Sequence, residues 1–265
     1  MGYWEERQAK VQENLTQKNI KDVEAQMVKY YASTMKKILG DFEKVYLKVL
    51  NNIEDGKEPT PADLYKLDDY WQMQNQLQTE LRKLGDKQAA LLGKKFEAQY
   101  QSIYKALAIP GQKMFSTIDK ALAKEMVNQV WCADGLAWSQ RIWNNTAKLQ
   151  QELNDNLVDC LVTGKKTTDL TKRLENRFNV SYSRANTLVR TEMAHIQTQA
   201  AAKRYEDYGL KKYQILGNDD DSCGHGGVDC HKMDGKVFYY KDMRVGKNAP
   251  PFHPNCKCCI IPVVE

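Results

Sequence analysis

The stretch DDDSCGHGGVDCHKMDGKVFYYKDMRVGKNAPPFHPNCKCC, Asp219 to Cys259, decides how this chain is read. It holds five of the seven cysteines and three of the four histidines, whereas the residues before it are mostly Lys, Glu, Gln, Leu and Ala in helical rhythm. Thiolate and imidazole are the side chains that zinc prefers, so this concentration asks for a cause. Disulfides and a metal ion compete. Met1 is followed by Gly-Tyr-Trp-Glu-Glu-Arg, with neither a basic n-region nor an apolar h-region, so no secretory signal is read and a reducing compartment is expected. The cysteine number is odd as well. Both facts favour metal.

Spacing narrows the donor set. Cys223 and Cys230 are joined by Gly-His-Gly-Gly-Val-Asp, a loop flexible enough to turn both sulfurs toward one point. His253, Cys256 and Cys258 form a second cluster, in which His-Pro-Asn-Cys offers two donors three residues apart. Tetrahedral zinc takes four such ligands at about 2.0–2.3 Å, here two from each cluster. The preferred set is Cys223, Cys230, His253 and Cys256, with Cys258 as the substitute; His225, His231 and Cys259 have weaker claims. This is not the Cys-x-x-Cys pair of a zinc ribbon.

The same region needs a fastener. Between Gly217 and Cys258 the one apolar run is Val237-Phe238-Tyr239-Tyr240. So long a connection is unusual in a compact domain unless something clips it. A structural Zn2+ ion supplies on the order of 10 kcal/mol to such modules. Around the loops, Lys212–Leu216, Val237–Tyr240 and Ile260–Val264 read as short strands that would form a small sheet.

Upstream the pattern is helical. Val11, Leu15, Ile20, Val23, Met27, Tyr31, Met35, Ile38, Phe42, Val45 and Val49 recur mainly every three to five residues, which predicts one helix from about Tyr3 to Asn51. Thr60-Pro61-Ala62-Asp63 starts a second helix to about Leu84, with Thr60 as its cap, and a third runs to about Leu107. Shorter helices are expected at about Lys113–Trp131 and then up to Thr163-Gly164. Another is expected at Thr168–Phe178, and one capped at Ser181 runs to Tyr208. Trp131, Trp138 and Trp143 are read as a core corner, and Cys132 and Cys160 as small buried helical residues. Glu192, His195 and Gln199 form a polar stripe, with Arg190 and Glu192 holding the loop that follows. The fold class is thus mostly α: a long N-terminal helical region, residues 1–165, followed by a small α+β domain, residues 166–265, with short strands and a zinc-stapled loop.

The chain has a formal charge of +5 with 28% charged residues, which permits contact with nucleic acid or an acidic protein without arguing for either. No run approaches a membrane span. From Lys211 to Glu265 there are eight basic and seven acidic residues, too balanced for a DNA-binding zinc module.

Taken in order, several pieces carry a resemblance. They are Arg190-Thr191-Glu192 in a helix, Asp219-Asp220-Asp221 before Cys223, Met233-Asp234-Gly235-Lys236-Val237-Phe238, and Pro250-Pro251-Phe252-His253-Pro254-Asn255-Cys256-Lys257-Cys258. Together they resemble the phage minor head protein family, the Mu F-like head-morphogenesis group, from about Thr167 onward. The chain departs from that pattern where the family has a tighter Cys-x-x-Cys than Cys223/Cys230, and at Lys257, where arginine is common. The resemblance implies a low-copy virion protein of a tailed phage. Its partners would be the portal protein, capsid or scaffold proteins, and phage DNA bound non-specifically, with no membrane during assembly. It would act in procapsid assembly in the host cytoplasm, reside inside the head, and in some phages leave with the DNA. No enzymatic activity is expected. The alternative is an enzyme, since the family's domain is thought distantly similar to ADP-ribosyltransferases. It would recruit Arg190, Glu192 and His195 beside the zinc, but a cysteine-rich donor set favours a closed structural site.

Overall fold

The computed structural model describes residues 3–52, 60–108, 118–217 and 229–264. In chain order the elements are α1 (Tyr3–Asn52), α2 (Pro61–Tyr65), α3 (Asp68–Ala106), α4 (Lys120–Val127), α5 (Trp138–Val162), α6 (Thr167–Asp207), β1 (Lys212–Leu216), α7 (Cys230–Met233), β2 (Val237–Tyr239) and β3 (Cys259–Val263), with a 3-10 turn at Tyr240–Asp242. The mostly helical architecture with a small C-terminal sheet is therefore as expected. Among the described residues no helix is long and apolar enough to cross a membrane.

Two compact units divide the chain: Met1–Glu24, Leu91–Trp138 and Asn186–Glu265 in one, Ala25–Ala90 and Ser139–Ala185 in the other. The second unit is a helical core. Its inward faces carry Met27, Tyr31, Ile38, Phe42 and Tyr46 on α1 and Met73, Leu77, Leu81 and Leu84 on α3, at helical spacing. Leu149, Leu153 and Leu157 on α5 and Leu170, Leu174 and Phe178 on α6 complete it.

The boundaries of three helices differ from the sequence expectation. The second helix is only Pro61–Tyr65; it starts as expected, with the Asp63 carboxylate accepting from the Thr60 N–H at 3.0 Å and hydroxyl at 2.6 Å. α3 then runs unbroken past Leu84, because Gly85 sits under the Trp143 ring, which approaches to 2.5 Å of where a Cβ would be. The residue there is small because a ring covers it, and the helix does not stop. Likewise Thr168–Phe178 and the segment to Tyr208 are one helix, α6. Ser181 is a buried interior residue of that helix, its carbonyl accepting from Asn145 Nδ2 at 2.9 Å. No glycine or proline lies between Gly164 and Gly209, and capping residues alone do not end a helix whose face stays covered. Gly209, at φ 75°, does end it: its N–H donates to Glu206 O at 2.8 Å, and that of Leu210 to Tyr205 O at 3.1 Å.

The helix expected at Lys113–Trp131 is described only as Lys120–Val127, residues 109–117 lying outside the described part. Cys160 is buried in α5, but Cys132 sits half-buried in a turn rather than on a helix. The three tryptophans do not share one corner. Trp138 packs edge-on against Phe96, centroids 5.3 Å apart, Trp131 stacks on His195, and Trp143 covers Gly85 at the surface of the other unit.

In the first unit, α6 is buried on all sides from Glu192 to Thr198 and forms its axis. The three strands lie as expected to within a residue, in the order β2-β1-β3, both pairs antiparallel. Tyr213 and Ile215 of β1 point inward, and Ile215 is in register with Ile260 of β3. The start of α1 packs here through a polar face. Val11 and Leu15 are only half-buried, while Gln8, Gln12 and Thr16, four residues apart, turn inward. Gln12 Nε2 donates to Ile260 O at 2.9 Å, and Thr16 Oγ1 to Gln197 at 2.6 Å while accepting from Gln99 at 2.6 Å.

Candidate metal centre

Three short pieces of chain meet in the first unit. Asp229 caps α7 by accepting the His231 N–H at 3.0 Å, which sets Cys230 at the first helical position and turns its thiol inward. Gly235, at φ 75°, then reverses the chain into β2, its N–H donating to Ile215 O at 2.9 Å. The second piece is the turn His253-Pro254-Asn255-Cys256, closed by Cys256 N–H to His253 O at 3.2 Å. The third is Cys258, the residue before β3.

Cys230, His253 and Cys256 are all buried, and their donor atoms lie within 4.8 Å of one another. His253 Nε2 is 3.1 Å from Cys230 Sγ, and Cys230 Sγ is 3.9 Å from Cys256 Sγ. Nδ1 of His253 lies 2.8 Å from the Pro254 carbonyl oxygen, which can only accept, so the ring proton is on Nδ1 and the Nε2 lone pair faces the thiols. Cys258 is also fully buried and lies beside this group, outside the three whose donor atoms are all within 4.8 Å of one another. Its S–H toward Cys256 holds the Cys256 thiol below the ordinary thiol range against the opposing effect of burial, and the Cys258 thiol, also facing Cys230, is raised.

The donors fit a metal ion. Ligands at zinc-like distances on a tetrahedron stand roughly 3.4–3.8 Å apart, close to the separations here. A thiol at Cys256 eased toward its ionised form and an imidazole whose Nδ1 is held by the Pro254 carbonyl are the chemistry such an ion needs. A small groove whose lining includes Glu13, Gln17, Ile20, Arg190 and Ala194 reaches Cys256 and Cys258. This group could hold a metal. Among the described cysteines there is no disulfide.

The remaining candidates divide. Cys223 and His225 lie outside the described residues. His231 is exposed. Cys259 begins β3, where burial pushes its thiol up to about 12.

The loop that Arg190 and Glu192 are expected to hold includes residues 218–228, which lie outside the described part, and the described contacts of the polar stripe are on other segments. Glu192 accepts from Trp131 Nε1 at 3.0 Å, and Trp131 stacks on His195 with centroids 4.5 Å apart and planes 14° from parallel. Both ring nitrogens of His195 lack a hydrogen-bond partner among the described residues, and burial alone depresses it to about 3. Arg190 pairs with Glu24 of α1 at 2.5 Å. Thr191 Oγ1 accepts the Asn255 N–H at 3.1 Å and so reaches the second piece of the metal cluster. Sequence reading did not find that last contact, nor the inward glutamines. The i, i+4, i+8 spacing of Gln8, Gln12 and Thr16, in line with buried Ile20 and Val23, was the available signal for the latter.

Comparison with known proteins adds a family. Residues 151–261 match the family described as Phage Mu protein F like protein. The matched segment begins in α5, takes in all of α6 and the metal cluster, and ends in β3. A Haemophilus influenzae protein described as uncharacterized is 22% identical over 114 residues, 43% of this chain. The chain spans about a quarter of that relative's length, 25%. No solved structure matches significantly.

Proposed function

We propose that this chain, whose residues 151–261 are a Mu F-like region of the phage head morphogenesis proteins, is a minor head protein of a tailed phage that binds the portal protein inside the head and acts in procapsid assembly. The observation that supports this most is the extent of the match, which covers α6, the metal cluster and two of the cluster's flanking strands as one block. On this reading the C-terminal region is a rigid body and the helical part offers surface to the portal, to capsid or scaffold proteins and, non-specifically, to packaged DNA. The virion interior is its final location, and some copies could leave with the DNA.

We infer further that the metal is zinc and structural. Cys230, His253 and Cys256 would supply three donors and Cys258, whose thiol neighbours those of Cys256 and Cys230, the fourth, so that the thiol-rich set closes the coordination that a catalytic zinc keeps open. Bound there, zinc supplies a cross-link between α7 and the turn leading to β3. The chain's own residues supply the thiolate at Cys256 and the oriented imidazole at His253.

Affinity capture with tagged chain from cells expressing the portal protein of the same phage tests the assembly role. Stoichiometric capture of portal, and heads lacking normal function when the gene is removed, are expected. Failure to bind portal together with normal, infectious heads from the deletion would overturn the proposal.

A further inference from the structure

Arg190, Thr191 and Glu192 are consecutive on α6, and each ties the helix to a different segment: Arg190 to Glu24 of α1, Glu192 to Trp131 before α5, and Thr191 to the Asn255 N–H. Successive helical residues point about 100° apart, so one turn can address three neighbours. The middle contact is the one that reaches the metal cluster. Asn255 stands at φ 62°, a left-handed conformation uncommon for any residue with a side chain. Its N–H is therefore turned out of the local turn pattern, where the Cys256 N–H already takes His253 O. Thr191 receives it. The Thr191 hydroxyl spends its own proton on Thr187 O at 2.7 Å, which leaves its lone pairs facing Asn255 and fixes its role as acceptor.

We propose that Thr191 is a positioning residue for the metal centre: by holding the Asn255 N–H it keeps the turn in the one shape that brings His253 and Cys256 to the same point before an ion arrives. This rests on the metal reading above. His253 and Cys256 are the two ends of that turn, and Asn255 lies between them. A turn free to relax at Asn255 would swing the two donors apart, and part of the binding energy would go into restoring it. Partners of this kind, one step removed from a metal, typically change affinity by about 10- to 100-fold when lost.

Cobalt(II) titration of the full-length chain tests this, because cobalt bound by thiolates in a tetrahedral site has intense visible absorption. T191V, which keeps the shape and removes the acceptor, is expected to bind cobalt about 10-fold more weakly than the parent. T191S, which restores the hydroxyl, is expected to return to the parent affinity and spectrum. Should T191V not fold, T191A carries the same comparison with T191S. Parent-like affinity in the folded T191V or T191A chain would overturn the role of Thr191 while leaving the metal centre standing. A parent chain that takes up no cobalt would remove the metal centre, and this role with it.

Discussion

In the unit formed by Ala25–Ala90 and Ser139–Ala185, the inward faces of four helices are nearly all apolar, and the buried polar groups are few, tied within one helix or, at Ser181, by Tyr31 and Asn145 of neighbouring helices. Thr146 bonds to Ile142 O and Gln88 to Leu84 O. In the other unit α1 turns Gln8, Gln12 and Thr16 inward, α3 contributes Gln99 and α6 Gln197, and the hydrogen bonds run between elements that are distant in the chain. One helix, α1, thus serves an apolar core with its second half and a polar seam with its first. Apolar contacts specify burial but tolerate sliding, whereas each cross-helix hydrogen bond has one register in which it is made. The unit that carries the Cys/His cluster is the one in which buried amide side chains from three helices form such a seam, while tyrosine hydroxyls and Asn145 make the cross-helix bonds of the other. The cluster's donors come from separate segments and must converge.

The difference can be broken from either side, and the largest effect is expected at the cluster. Cys256→Ser, or removal of metal by a strong chelator, should cost an interaction on the order of 10 kcal/mol. Hydrogen exchange is the check. Residues 229–264 should lose protection while 27–49 and 70–84 keep theirs; equal protection throughout would show that no ion fastens the loop. On the apolar side, Phe42→Ala removes a side chain that is 1% exposed and should cost about 3–5 kcal/mol in denaturant unfolding without changing metal content. Loss of metal with it would mean that the two cores are not separable in this respect.

Acid should also act unequally. His195 is neutral in the fold and depressed to about 3 by burial, whereas unfolded histidine titrates near 6.5. The unfolded chain therefore binds the extra proton between those values. The contribution of His195 is fully present above about 6.5 and falls by about 1.4 kcal/mol per pH unit toward about 3. His195→Phe, which can keep the stack on Trp131, should flatten that part of the acid limb; denaturant midpoints from pH 7 to 4 for the two proteins should diverge in that direction. Smaller still, Gln12→Ala leaves Ile260 O without its side-chain donor and should cost about 1–3 kcal/mol, read as a lower thermal midpoint.

Much of the fold was legible. α1, the three strands and the stop at Gly209 follow from periodicity and glycine, because burial on one face imposes spacing whatever the neighbours are. The breaks expected near Leu84 and Ser181 were not there. Gly85 and Ser181 resemble helix ends in isolation, and only tertiary cover, by Trp143 over Gly85 and by the bond from Asn145 to Ser181, explains why the helices continue. At the cluster, Cys230, His253 and Cys256 were legible from residue type and density, and the structure brings them together. Cys258, ranked only as a substitute, lies against Cys256 and Cys230. Thr191 was not legible as part of the site, since its contact joins residues 64 apart in the chain and uses a backbone N–H that carries no sequence signature.

X-ray absorption at the zinc edge on protein prepared without chelator addresses the central point most directly. The account predicts about one zinc per chain with three sulfur neighbours and one nitrogen near the usual tetrahedral distances. Protein without zinc, or with a first shell of oxygen and nitrogen alone, would contradict it.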